Sequence, residues 1–201
     1  MMELNGFWTL IEASRAATND PDERAEWLTD RLAVLPLREI EDFQVHLDQM
    51  RARVDTWTMW GAGYQIMNGL CSDDGFFYFQ GWLVGLGRDN FERVAADPDA
   101  LAEVPEIQRL AGRGTGDWAE DEWPDWEIVD YVAGEAHERR TGEEESLDDA
   151  LEARGHESPS VPDPSGEGWS PGDPHEVARR LPRIGRMFPS GARSGRSSST
   201  G

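Results

Sequence analysis

The stretch PLREIEDFQVHLDQMRARVDTW, residues 36–57, sets the fold class. Apolar side chains recur along it at Ile40, Phe43, Leu47, Met50, Val54 and Trp57, in alternating steps of three and four. Such steps return a side chain to one face of a 3.6-residue turn, so the spacing predicts a long α-helix with a continuous apolar stripe. Pro36 suits its first turn, where a missing N–H costs nothing. A stripe of this kind serves either a coiled-coil seam or a core. About three heptads are present, at the short end of what a coiled coil needs, so the helix is expected inside a core.

Outward from this helix the same period persists. Towards the N-terminus, Asn5 is placed to cap a helix whose inner face reads Phe7, Leu10, Ile11 and Ser14. Asp20-Pro21-Asp22-Glu23 opens a second helix, with Asp at the N-cap, Pro at N1 and two acids facing the positive end of the helix dipole. Leu28, Leu32 and Leu35 line its face. Towards the C-terminus, Trp60, Tyr64 and Met67 share a stripe between Trp57 and Leu70, and Ser72 or Asp73 can cap the aromatic run Phe76 to Leu86, which Gly87 stops. Gly81 and Gly85, four apart, permit a close neighbour. A short helix with Phe91 and Val94 follows, Asp97-Pro98 repeats the start signal, and residues 112–122 read as a loop. A last helix is expected from Pro124 to Arg140, burying Trp126, Val129, Val132 and Ala136 before Thr141-Gly142 ends it. Nothing alternates as a strand would. The expected fold is an all-α, compact bundle of six or seven helices over residues 1–142.

Beyond Gly142 the composition changes. Glu143-Glu144-Glu145 gives way to Pro, Gly and Ser with few large apolar side chains, so residues 143–201 are expected to be a mostly disordered tail. The chain carries 40 acidic against 19 basic residues, a formal charge of -21, and all the bases are Arg. Six of those Arg lie after residue 178, where no acid occurs, so a basic end follows an acidic body. An acidic body repels phosphate and argues against general nucleic-acid binding, whereas the Arg-rich end can contact an acidic surface, this protein's own included. The start lacks the basic and apolar regions of a signal peptide, and the longest apolar stretch, Gly75 to Gly87, is too short to span a bilayer. With one cysteine, no intramolecular disulfide can form. A cytoplasmic location is expected.

Cys71-Ser72-Asp73-Asp74 concentrates a thiol, a hydroxyl and two carboxylates at one helix entrance. Capping accounts for Ser72 and the acids, and a lone Cys is commonly a small buried hydrophobe. The functional alternative is a recognition site, or a nucleophile if a histidine comes within reach. Arg88 closes the same helix about 20 Å away at 1.5 Å per residue, too far to pair with Asp73 or Asp74, so an acid on another element is its expected partner. His46, His137, His156 and His175 form no His-x-x-x-His pair, and Asp73-Asp74 lacks the ligand pattern of a calcium loop, so neither metal nor cofactor is expected. The last helix carries Glu127, Asp130, Tyr131, Glu135 and Glu138, most simply a solvated face. Of nine tryptophans, Trp118, Trp123 and Trp126 sit among Asp117, Glu120, Asp121, Glu122, Asp125 and Glu127. That segment either packs back on the body or offers aromatic anchors in a negative rim to a basic partner.

Asn68-Gly69-Leu70-Cys71-Ser72-Asp73-Asp74-Gly75-Phe76, followed by Tyr78-Phe79, Trp82-Leu83 and Gly87-Arg88, resembles the bacterial domain-of-unknown-function 4240 family. Phe7-Trp8, Leu10-Ile11, Trp57, Trp60 and the closing Glu135 to Gly142 fit as well, so the likeness covers most of residues 3–142. It implies no catalytic residue and draws attention to the Ser-Asp-Asp-Gly region. One departure is Leu35, which stands before the helix-opening Pro36 where a capping Ser or Asp is expected.

The resulting expectation is a protein-protein interaction module that presents an acidic surface to a basic protein partner. The alternative is an enzyme with its site near Cys71-Ser72-Asp73-Asp74. The candidate binding residues are Trp57, Trp60, Tyr64, Cys71, Ser72, Asp73, Asp74, Arg88, Trp123 and Trp126.

Overall fold

In the computed structural model, residues 1–144, 146–157 and 164–189 are described. Among them are eleven α-helices and no strand; Thr56 and Ser165 form an isolated bridge. α3 (Leu37–Val54) is the axis of the molecule, and its stripe of Ile40, Phe43, Leu47, Met50 and Val54 is buried. At about 1.5–3 kcal/mol for each fully buried large apolar side chain, this stripe alone outweighs any helix propensity of the segment. It also rules out pairing of that seam with a second chain. Trp57 does not continue the helix. The chain breaks at Asp55, and Thr56 caps α4 (Trp57–Ile66) by accepting from the Met59 N–H at 3.1 Å.

α1 (Leu4–Ala17) and α2 (Pro21–Leu32) pack on each other, and α1 also meets α3. Asp20 caps α2 as expected, accepting from the amides of Asp22 and Glu23 at 2.9 and 3.0 Å. Asn5 does not cap α1, because the helix begins one residue before it. α3 starts without a side-chain cap, as the Leu35-Pro36 sequence requires. α5 (Asp73–Gly85) lies against α1, α3 and α4, and Ser72 rather than Asp73 caps it, accepting from Gly75 N–H at 3.1 Å. Gly81 and Gly85 do serve close approach: a Cβ at Gly85 would stand 2.9 Å from the Trp126 ring. Gly87, at φ 85°, turns the chain into α6 (Arg88–Ala96). A 3-10 turn over Pro98–Glu103 and the unanticipated α7 (Pro105–Leu110) follow.

The last expected helix is shorter than its periodicity suggests: α8 spans Val129–Thr141, and Trp126 reaches the core from the loop before it. Gly142 ends α8 in the left-handed region. α8 packs on α2 and α3.

The helix count and the tail need correction. α9 (Ser146–Ala153), α10 (Pro174–Arg180) and α11 (Pro182–Met187) all follow Gly142. Leu147, Leu151, Val177, Leu181 and Ile184 join the same core as the earlier helices. The few apolar residues of this segment suffice because they recur at spacings of four and three, and because Asp99 anchors α11. The Asp99 carboxylate, 4% exposed, accepts from the backbone N–H of Arg183 and Ile184 and from Arg183 Nε, all near 3.0 Å. Trp169 lies so close over Gly61 that a Cβ there would be 2.2 Å from its ring. The expectation of disorder at residues 145, 158–163 and 190–201, with Arg193 and Arg196, lies outside the described residues. None of the described helices is long and apolar enough to cross a membrane.

Candidate functional site

The expected residues fall in three places. Trp57, Trp60 and Phe76 form a stack, with centroids 5.6 and 5.2 Å apart and rings nearly parallel. Trp60 Nε1 donates to the Cys71 carbonyl at 3.3 Å, so this ladder fastens α4 to the turn before α5. Tyr64 lies half-buried beside Gly69. Cys71 is 4% exposed, and burial, then Asp73, pushes its thiol up to about 12. Arg88 is elsewhere: its guanidinium donates to Asn5 Oδ1 at 2.8 Å and its backbone N–H to Glu12 Oε1 at 3.2 Å, so the acid on another element is met by the main chain rather than the side chain. Trp126 is 2% exposed, donates to the Pro21 carbonyl at 3.0 Å and carries the Arg24 guanidinium 4.3 Å from its ring. Trp118 and Trp123 meet edge to face at 5.0 Å. Of the two readings of this Trp segment, self-packing describes Trp118 and Trp126.

Asp73 and Asp74 stay exposed on the first turn of α5. Asp74 reaches a larger feature, a cleft of about 520 Å³ between α3, α5, α8 and the start of α9. Its walls carry six carboxylates, Asp48, Asp74, Asp130, Glu135, Glu138 and Asp148, against one base, Arg51, together with Phe77, Tyr78 and Tyr131. A second cleft of about 450 Å³ shares Tyr131 and carries Asp20, Asp22, Glu120, Asp121, Asp125 and Glu127 with no base. Tyr131 is 54% exposed and Ile128 is 37% exposed, so an aromatic and an aliphatic side chain stand between the two acidic linings.

The floor of the first cleft departs furthest from the usual rules of burial. Arg51 is 2% exposed; Nη1 pairs with Asp130, the guanidinium lies 4.2 Å from the Phe77 centroid, and Nε and Nη2 have no hydrogen-bond partner. Nη2 is directed at α5, 3.0 Å from where a Cβ at Gly81 would stand. A side chain at position 81 would crowd the arginine that lies under α5. Asp48, 4% exposed, accepts from Gln44 Nε2 at 2.8 Å and lies 2.7 Å from His156 Nε2. Burial dominates and raises the Asp48 pKa, although His156, Gln44 and Arg51 oppose it. Asp130 is likewise raised by burial, against the pull of Arg51 and with the help of Asp48 and Glu127. Gln44, 8% exposed, keeps an Oε1 without a donor. Tyr78 is raised by burial first and then by its hydrogen bond to Glu127. Both raised carboxylates reflect a place where negative charge is costly.

Sequence reasoning did not single out Gln44, Asp48 or Arg51, and assigned Asp130 and Tyr131 to a solvated face. A signal was present: 44, 48 and 51 are spaced by four and three, a polar stripe running beside the apolar one on the same buried helix. Among the described residues, no group of three or more His, Cys, Asp or Glu side chains is placed to hold a metal ion.

Residues 2–139 match the model of a family described as protein of unknown function, DUF4240. No curated protein and no solved structure matches the chain. The match takes in α1 to α7 and most of α8, and with them the Arg51 floor and both acidic linings except Asp148. On that coverage, the chain belongs to the DUF4240 family of proteins of unknown function.

Proposed function

We propose that this domain is a protein-interaction module that docks a basic segment of a partner protein across the face centred on Tyr131. One observation carries the reading: twelve carboxylates line two clefts that share Tyr131, and Arg51 is the single base among them. Carboxylates gathered so densely repel one another, and an incoming row of cations relieves that repulsion while Tyr131 and Ile128 supply desolvated contact at the centre. The exposed anchors are Tyr131 and Ile128 rather than Trp123 and Trp126; Trp126 lines the second cleft but is 2% exposed, and the acidic segment around residues 120–127 is retained in the surface. Against the enzyme alternative, a buried thiol with a pKa of about 12 supplies almost no thiolate near neutral pH.

The test is calorimetric titration of the full chain with an acetylated, amidated peptide of alternating Arg and Ala at two salt concentrations. A triple variant, Asp74→Asn with Glu127→Gln and Glu138→Gln, is expected to weaken binding about tenfold or more, from loss of several charge contacts. A charge-matched control, Glu26→Gln with Asp89→Asn and Glu152→Gln, removes three exposed acids elsewhere. Equal loss in both variants would mean diffuse charge attraction and would overturn a defined docking face.

A further inference from the structure

The floor of the larger cleft allows a more specific statement, which rests on the reading of the Tyr131 face as a docking surface. We propose that this cleft is a socket for one arginine side chain of the partner, with Gln44 and Asp48 at its base and Asp74 and Tyr131 at its mouth. Four observations support it. Gln44 is 8% exposed and its Oε1 lacks any donor, so the base of the cleft holds an unmet hydrogen-bond acceptor. Asp48 beside it is held above the ordinary carboxylate range by burial, a cost that an added cation would offset. The mouth is open, since Asp74 and Tyr131 are both exposed. Finally, the lining carries five more negative than positive groups, and a volume of about 520 Å³ admits a long side chain.

Other ligand classes fit less well. An anion would have to use Arg51, whose Nη1 is engaged by Asp130 and whose Nη2 faces Gly81, within a lining that otherwise carries six carboxylates. A hard metal ion needs converging oxygen ligands, and no such group of three is present among the described residues. Between the two basic side chains, guanidinium suits the walls better than ammonium. It is planar, more weakly hydrated, and offers several donors at once to an amide oxygen and carboxylates while lying on an aromatic face. Arg51 over Phe77, paired with Asp130, already shows that mode of holding within the same cleft.

The experiment uses N-acetyl-arginine-N-methylamide, its lysine counterpart and spermidine as probes of the full chain, followed by chemical-shift perturbation and by competition with the Arg-Ala peptide. The arginine compound is expected to bind about tenfold more tightly than the lysine compound, to shift amides around Gln44, Asp74 and Tyr131, and to compete with the peptide. Gln44→Met, which keeps the size and removes both the acceptor and the hydrogen bond to Asp48, and Asp74→Asn, an exposed change that leaves the fold alone, should each weaken it several-fold. If Gln44→Met lowers the melting temperature sharply, Asp74→Asn decides by itself, and unchanged affinity in that variant overturns the socket. Equal or tighter binding of the lysine compound or spermidine overturns the guanidinium assignment. Peptide binding at the Tyr131 face without arginine-compound binding overturns the socket and leaves the docking reading intact. Failure of both ligands to bind overturns the two together.

Discussion

Cys71 illustrates how burial settles a question that residue identity leaves open. Its sulfur lies under Gly63, where a Cβ would be 3.3 Å away, and the same point is 3.3 Å from the Phe79 ring. Burial, with Asp73 adding negative charge nearby, raises the thiol to about 12. At pH 8 such a thiol is ionised in only about one molecule in ten thousand, and the thiolate is the reactive species. Native protein treated with Ellman's reagent at pH 8 is therefore expected to release almost no colour over an hour and one equivalent once denatured. Prompt stoichiometric release from the folded chain would contradict both the burial and the raised pKa. Arg51 is the opposite kind of residue, a buried group that burial penalises. It persists because Asp130 neutralises it, Phe77 faces it and Gly81 makes room, and loss of one partner from a buried pair costs about 3–5 kcal/mol.

α10 and α11 belong to the scale of elements, and there the integration of the C-terminal segment can be measured. Leu181 is 0% exposed and lies between the two helices, while Asp99 holds the first amides of α11. Leu181→Ala is expected to cost about 2–5 kcal/mol, read as a lower denaturant midpoint, because it removes a fully enclosed side chain. Trypsin should then cut first at Arg179 or Arg180. An unchanged midpoint would mean that α10 and α11 only rest on the surface. This element also shows what was legible in the sequence and what was not. α2 and α3 were readable because their caps and stripes are local: Asp20-Pro21 at one, Ile40 to Val54 at the other. The aromatic run after Ser72 was readable for the same reason. The C-terminal helices were not, since composition averages over long stretches of Pro, Gly and Ser, and the segment is held by distant partners, Asp99 under α11 and Gly61 under Trp169. The same limit applied to the cleft. Asp74 was visible through its motif, whereas Asp48, Arg51, Asp130 and Tyr131 become a site only when α3 and α8 are side by side.

For the whole molecule, 40 acids against 19 bases make electrostatic self-repulsion a standing cost, and the carboxylates whose pKa values are shifted include two groups with opposite pH dependence. Asp48, Asp125 and Asp130 have pKa values raised above 3.8, chiefly by burial, so the folded state binds protons more tightly than the unfolded chain. Their cost is fully present at neutral pH and is relieved as pH falls through their folded pKa values. Asp42, Glu92 and Glu122 behave the other way. Asp42 is lowered against the opposing effect of burial, with Arg154 bonding its carboxylate, while Glu92 is lowered by Arg53. Glu122 is lowered to about 2 by its hydrogen bonds from Arg113 and the Ala119 amide. What these three contribute is present above the ordinary carboxylate range and is lost as pH falls from there through their folded values. Stability should therefore rise on moving from neutral to mildly acid solution, as the buried acids take up protons and net charge falls, and then drop once the paired acids are forced to protonate below about 4. Urea midpoints measured in steps from pH 7.5 to 3 should trace that maximum. A midpoint that falls steadily from pH 7 would mean that the paired carboxylates outweigh the buried ones. The Asp48 and Asp130 environment would then have to be more polar than the structure places it.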